Sequence, residues 1–329
     1  MENIELATTG RKTTPLGFGG SSIMGGLNRK ESLAMLEAAF DAGIRHFDTA
    51  PMYGYGAAEA CLGEFLKRHA GQATVTTKYG IPPAKNQSLI GAARKVAKPI
   101  LRLLPGMKQK MAGIAAAATR TPEKAVFSPD EARASLETSL RNLNTDRIDV
   151  WLLHEAEAGD LSNPELLRFL EESVARGVIG TFGVGSGSEK IPALCRDRAP
   201  YCRVVQTEWS PFEAGTPCPG SFLIHHGALA KFSALQRAFS ANPNLTRKWS
   251  DEVDLDLSSP QHLAALLLKA SLLSNPGGMA LFSSKNVRNI QANVAAAGDH
   301  ALIPKAERFQ SLLRLEGRQL LAQEAKEGR

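Results

Sequence analysis

A chain of 329 residues, 43% of them hydrophobic, can bury a large core, as one barrel with insertions or as two smaller domains. No apolar run approaches the about 18 residues a membrane-spanning helix needs, and the acidic start Met-Glu-Asn-Ile-Glu is unlike a basic secretion signal, so a soluble, cytoplasmic protein is expected. The net charge of +6 would suit a nucleic-acid partner, but nine Lys/Arg against one acid (Glu123) between Tyr79 and Ala125 account for +8, leaving about −2 elsewhere and no nucleic-acid surface expected.

Residues 5–20, with Gly10-Arg-Lys and the Gly-rich Leu16-Gly-Phe-Gly-Gly20, predict a hairpin leading into a first strand. Leu33, Leu36 and Phe40 follow at helical spacing, closed by Gly43. A short strand ends at Asp48, and a Gly54-Tyr-Gly56 turn leads to a helix carrying Leu62, Phe65 and Leu66. Val75-Thr-Thr-Lys78 is a β-branched strand. After a long basic segment, Ser128-Pro-Asp-Glu131 is a helix start: Ser caps, Pro suits the first position and Glu131 can bond back. That helix feeds Ile148-Asp-Val-Trp-Leu-Leu-His154, another apolar strand.

Asn163-Pro164 opens the next helix and Gly177 follows it. Val178–Val184, Arg203–Thr207, Phe222–His225 and Ala280–Phe282 read as further strands, with Leu263, Leu266, Leu267 and Ala270 marking a helix before the last. Alternating strands and helices predict parallel βα units, eight in all. Between Pro211 and Phe222, Gly215, Pro217, Pro219 and Gly220 leave no room for a helix, so the sixth crossover is expected to be a loop. His226 to Ser258 is expected to hold a helix at the mouth. Cysteines 61, 195, 202 and 218 show no C-x-x-C pair or metal spacing, and reduced thiols are expected.

Asp48, Lys78 and His154 each end a strand, and Tyr53 follows Asp48 by five residues. In a parallel barrel all strand C-termini open on one face, so the four would converge there. Singly, each has a plainer reading: a capping Asp, a packed Tyr, a surface Lys, a strand-end His. Their order along successive strands favours a site.

These residues resemble the aldo-keto reductase family. Ile44 to Gly63 is similar to its run of strand, Asp-Thr-Ala, Tyr loop and Glu-x-x-Leu-Gly, and Val204–Pro211 and Ser274–Asn286 also look like family segments. The resemblance implies a (β/α)8 TIM barrel with an N-terminal hairpin and a long basic insertion after strand 3. Residues 1–329 would form a single barrel domain, with 79–126 the insertion at the mouth and 310–329 a C-terminal helical tail. It implies a nicotinamide-dependent oxidoreductase interconverting an aldehyde or ketone with its alcohol. Tyr53 would be the general acid, Lys78 and Asp48 the pair lowering its pKa from about 10, and His154 the donor orienting the substrate oxygen.

By the same resemblance Gln206 holds the cofactor carboxamide, though a purely structural buried glutamine remains an alternative. Ser186 would take over an amide contact where the family usually has Ser-Asn after Gly-Val. The residue stacking on the nicotinamide falls at His225 instead of the usual Tyr, with Trp209 the other candidate. Ser283, Lys285, Asn286, Arg288 and Asn293 belong to a late phosphate segment, since N–H groups at a helix start favour an anion. Lys285 and Arg288 favour NADPH, with NADH the alternative because Asn289 stands where many NADPH-specific relatives carry Arg. No Rossmann G-x-G-x-x-G turn is present. His225-His226 lack a third ligand, so no metal is expected.

The insertion carries Leu89, Ile90, Ala93, Val96, Ala97, Ile100 and Leu101 on one stripe and Arg94, Lys95, Lys98 and Arg102 on another, with Pro99 kinking or ending the helix. It reads as a solvated rim helix, as a lid receiving anionic substrates, or as an attachment to an anionic membrane surface. Besides the reductase, two rival functions stay open: a low-activity cofactor-binding regulatory protein and a peripheral membrane protein anchored by the insertion. The partner expected is a small carbonyl or alcohol, an anionic one on the lid reading. Substrate identity and oligomeric state are not legible.

Overall fold

Short, β-branched and apolar segments separated by amphipathic helices give eight parallel strands, each needing cover on both faces, and closing the sheet on itself leaves no edge. In a computed structural model describing residues 1–83, 124–213 and 218–327, this is what forms. An antiparallel hairpin, β1 (Ile4–Glu5) and β2 (Lys12–Thr13), comes first. Then β3 (Leu16–Gly19), β4 (His46–Asp48), β5 (Thr74–Tyr79), β6 (Ile148–His154), β7 (Ile179–Gly185), β8 (Val204–Glu208), β9 (Phe222–His226) and β10 (Met279–Phe282) close a parallel barrel. The seam is made by β10, which pairs with both β3 and β9.

The helices are α1 (Arg29–Asp41), α2 (Ala58–Arg68), α3 (Pro129–Leu143), α4 (Pro164–Ala175), α5 (Ile191–Asp197), α6 (Phe232–Ala241), α7 (Pro243–Val253), α8 (Pro260–Leu273), α9 (Val287–Gly298), α10 (Leu302–Leu312) and α11 (Arg318–Glu327). Among the described residues, none is long and apolar enough to cross a membrane. Their starts follow from sequence chemistry. Ser128 accepts from Glu131 N ahead of Pro129, and Asn163 accepts from Glu165 N ahead of Pro164. Asn28 and Glu31 form a reciprocal capping box on α1 that the sequence reading missed.

Period-two alternation divides the core into two layers. Val150 and Leu152 point into the barrel with Leu6, Val204, Ile224, Met279 and Leu281, while Trp151 and Leu153 point out to the helices. The hairpin closes the foot of the barrel. Arg11 donates to Asp149 Oδ1 at 3.0 Å and to the carbonyls of Gly71 and Ala73, and Asp149 Oδ2 accepts from Val75 N at 2.8 Å.

The hairpin and the eight strands match the sequence reading. Among the described residues no helix stands between β8 and β9, as the Gly/Pro content demanded. The stretch after β9 differs: it holds two helices, α6 and α7, where one was expected, because Asn242-Pro243 breaks the helical run. The cysteines differ too. Cys195 and Cys218 form a disulfide, Cα atoms 5.6 Å apart, although their spacing of 23 gave no sign of pairing. Most of the basic insertion, and the amphipathic stripes read on it, lie outside the described residues. Its two ends are held together at the top of β5, where Ala125 N donates to Gly80 O at 2.8 Å and Tyr79 Oη to Val126 O at 2.5 Å.

Candidate active site

The C-terminal ends of β4, β5, β6 and β8 deliver Asp48, Lys78, His154 and Gln206 to one mouth. Tyr53 arrives from the 3-10 turn Tyr53–Gly56, whose Gly54 and Tyr55 are left-handed, with φ of 59° and 57°. At Gly54 only glycine fits on two counts: the positive φ, and a side chain that would meet Ile23 O at 2.5 Å. Gly80, at φ 137°, turns the chain away from β5 so closely that a Cβ would lie 2.4 Å from His154 O.

Lys78 is 1% exposed, and its Nζ donates to Asp48 Oδ1 at 2.7 Å and to Thr49 O at 2.9 Å. Gln206 Nε2 donates to the other carboxylate oxygen of Asp48 at 2.7 Å. Asp48 thus holds a cation and an amide at once, each by a short, directed hydrogen bond. Lys78 Nζ also lies 5.3 Å from the centre of the Tyr53 ring, and the Tyr53 and His154 rings stand edge to face at 6.5 Å.

These neighbours set the protonation states. Burial opposes the charge on Lys78, but Asp48 and Tyr53 outweigh it and raise its pKa, so it stays an ammonium. That ammonium is the largest influence on Tyr53 and pulls its phenol down. Burial, Asp48 and Glu155 pull the other way and win, leaving the phenol above 10. The expectation of a net lowered Tyr53 is therefore corrected: the lysine acts as foreseen, yet a half-buried phenol beside a carboxylate resists ionising. His154 is pushed down to about 3, by burial first and Lys78 second, and is neutral at physiological pH.

Asp48, Tyr53, His154, Ser186, Gln206 and Ser283 line one cavity of about 440 Å³ at the barrel mouth. A larger cleft of about 830 Å³ opens at the foot beside Arg11 and Asp149. Its Lys67 and Arg141 belong to the last turns of α2 and α3, where cations complement the helix dipole, and nothing in it matches the acid–base cluster above.

Two expected contacts fall elsewhere. His225 faces helix α8, its Nδ1 3.4 Å from Ser271 O, because strand alternation turns it outward and puts His226 in the cavity lining. Trp209 is buried with its Nε1 donating to Ser274 Oγ at 2.8 Å, and it is not part of the lining. Lys285 lies against Gly26, its Nζ 2.3 Å from where a Cβ would stand, and its exposed side chain is free to swing aside. Asn286 caps α9 by accepting from Arg288 N at 2.9 Å, Arg288 is exposed, and Asn293 is buried further along that helix.

Sequence reasoning missed Ser21, Glu155 and His226, all in the lining. Ser21 is 3.4 Å from Ser283, Oγ to Oγ. Glu155 sits at φ 57° directly after His154 and receives Lys190 Nζ at 3.0 Å. Its place next to His154 at a strand end was the available signal.

Comparison with known proteins bears on the family and the fold. The sequence model described as "Aldo/keto reductase family" matches residues 15–306. A D-threo-aldose 1-dehydrogenase from a Pseudomonas species is 33% identical over 198 residues, 55% of this chain and 52% of its own. The chain thus spans about half the length of the curated relatives it matches. Among solved structures, the holo form of an aldo-keto reductase from Bacillus halodurans superposes with a TM-score of 0.67 at 19% identity, covering 93% of this chain and 95% of its own. An aldo/keto reductase from Klebsiella pneumoniae, in complex with NADP and acetate, superposes at 0.61 and 20% identity, covering 96% and 95%. At these identities the structural likeness speaks to the barrel alone.

Proposed function

The chain belongs to the aldo/keto reductase family, and from its site we propose an NADP(H)-dependent oxidoreductase that interconverts an aldehyde or ketone with its alcohol in the cytoplasm. The observation carrying this reading is the buried Lys78–Asp48 pair beside Tyr53, with His154 lining the same cavity.

The cofactor is inferred from the Klebsiella neighbour, and residues of this chain fit it. Gln206 commits its donor to Asp48, and Ser186 donates to Ala156 O at 2.9 Å, which leaves a side-chain oxygen on each as an acceptor for an amide. At the start of α9, Lys285 and Arg288 have no ion-pair partner among the described residues, in a place where helix N–H groups favour an anion. When bound, the nicotinamide exchanges hydride with the substrate carbon.

The chain's own residues handle the proton. Tyr53, its phenol above 10, stays protonated at neutral pH and delivers that proton to the carbonyl oxygen. The Lys78 ammonium stabilises the phenolate that remains, and Asp48 holds the ammonium in place. His154, neutral, offers one N–H without adding charge, which suits orienting an oxygen over protonating it.

The relative named an aldose dehydrogenase supports a neutral, hydroxylated substrate. An anionic substrate is the second reading, favoured by the nine cations of a segment that leaves the barrel at the mouth. Steady-state oxidation of NADPH with neutral and anionic aldehydes tests the whole proposal. Wild-type turnover and a loss of about 10²–10⁴-fold in Tyr53→Phe, with cofactor affinity kept, are expected. Turnover of no carbonyl would favour the cofactor-binding regulatory reading instead.

A further inference from the structure

Three of the four cysteines meet at the foot of the barrel, opposite the mouth. Cys195 lies in α5, Cys202 two residues before β8, and Cys218 four residues before β9. Their Sγ atoms all lie within 4.8 Å of one another. Cys195 and Cys218 are bonded; Cys202 is free, buried, and donates weakly to Arg198 O at 3.7 Å. Among the described residues this is the one group of three or more His, Cys, Asp or Glu side chains placed to meet on a single ion.

A disulfide staple has an evident task here. Among the described residues the β8–β9 crossover carries no helix, and Cys218 ties its end to α5. A staple needs two sulfurs. The third, brought by a separate segment into the same small volume, is unexplained by stapling. A lone buried Cys202 packing as a small hydrophobe would not need both other sulfurs within its reach.

We propose that, once reduced, this cluster binds one zinc ion through Cys195, Cys202 and Cys218, and that the ion replaces the disulfide as the tie between α5 and the crossover. Zinc–thiolate bonds of about 2.3 Å in a tetrahedral array put sulfurs roughly 3.8 Å apart, inside the span the three already share. Side-chain rotation at Cys195 and Cys218 supplies the separation once the S–S bond is gone. No fourth protein ligand joins among the described residues, so a water completes the shell from the side of Cys195, which is only half-buried. The steps balance simply. A phosphine or dithiol reductant gives two electrons to the disulfide, yielding two thiols; zinc then displaces three protons from three thiols and is itself neither oxidised nor reduced.

The test uses the full chain reduced with a phosphine, freed of reductant under argon, mixed with zinc chloride and passed through a metal-depleted gel-filtration column. One zinc per chain should stay with the reduced protein and none with the oxidised protein, measured with a chromophoric chelator. Cobalt in place of zinc should give a thiolate charge-transfer band in the near ultraviolet from the reduced protein only. Cys202→Ser should lose more than about 100-fold in zinc affinity, beyond the 10–100-fold typical of a supporting residue, while Cys61→Ser, altered in α2, should match wild type. Reduced wild type that retains no zinc overturns the proposal, as does a Cys202→Ser protein that binds as well as wild type. Should a cysteine variant fail to fold, the wild-type comparison with and without reductant decides it alone.

Discussion

Lys78→Met removes the charge at the centre of the site while keeping nearly the same length of apolar side chain. Its Nζ makes hydrogen bonds of 2.7 Å to Asp48 and 2.9 Å to Thr49 O, and all of this is buried. What remains is Asp48, 4% exposed, with Gln206 Nε2 as its surviving donor. A buried charge stripped of its partner costs about 3–5 kcal/mol, a sizeable share of the ~5–15 kcal/mol that holds a typical domain folded. Adding Asp48→Asn takes that charge away and leaves a side-chain oxygen for Gln206, so the double variant should recover all but about 1–2 kcal/mol, the scale of the hydrogen bonds still missing. Urea unfolding at unchanged m-value measures both. Carbonyl reduction should be lost in both variants, since the ammonium that favours the phenolate is gone from each. A single variant destabilised by under about 1 kcal/mol, or a double variant no more stable than the single, would show that the pair carries no such burden. Normal reduction by either would refute the part given to Lys78 in the chemistry.

Three further outcomes follow from the same structure. Lys285→Ala with Arg288→Ala should weaken NADPH binding about tenfold or more while changing NADH little, because charge-assisted contacts reach only the 2′-phosphate; an equal loss in fluorescence titrations of both cofactors would assign the pair to the fold. His46, fully buried and held between Thr74 and Thr76, is pushed by burial down to about 4. Its depressed pKa means the unfolded chain takes a proton first, so the stability carried through His46 should be whole above pH 6.5 and fall by about 3 kcal/mol as pH drops toward 4, with His154, also pushed down, adding to the fall; an unchanged urea midpoint over that range in wild type would contradict it. If the basic insertion serves anionic substrates, their kcat/KM at saturating cofactor should fall with ionic strength more than that of a neutral aldehyde, and replacing residues 84–123 by a short Gly-Ser linker between ends already joined at Gly80 and Ala125 should erase the difference; identical salt dependence would leave the neutral-substrate reading alone.

Local chemistry was enough to read the parallel βα units, and the family resemblance closed them into a barrel. Strand-length runs ending in Asp48, Lys78 and His154 carry their period and their punctuation in the chain itself, and a parallel sheet has one face where such ends can gather. Ser128-Pro129 and Asn163-Pro164 fixed helix starts for the same reason: a cap and its helix are neighbours in sequence. Pairings between distant segments were another matter. Whether His225 or His226 faces the cavity turns on a one-residue register in β9, which neighbouring strands set and a two-histidine run leaves open. The net pKa of Tyr53 depends on how deeply the closed barrel buries it, a quantity no motif contains. Cys195, Cys202 and Cys218 stand apart in sequence without a recognisable spacing, and they meet only because α5 and the starts of β8 and β9 share the foot of a closed barrel. Sequence sets what each segment can become; closure of the sheet alone decides which side chains come within bonding distance.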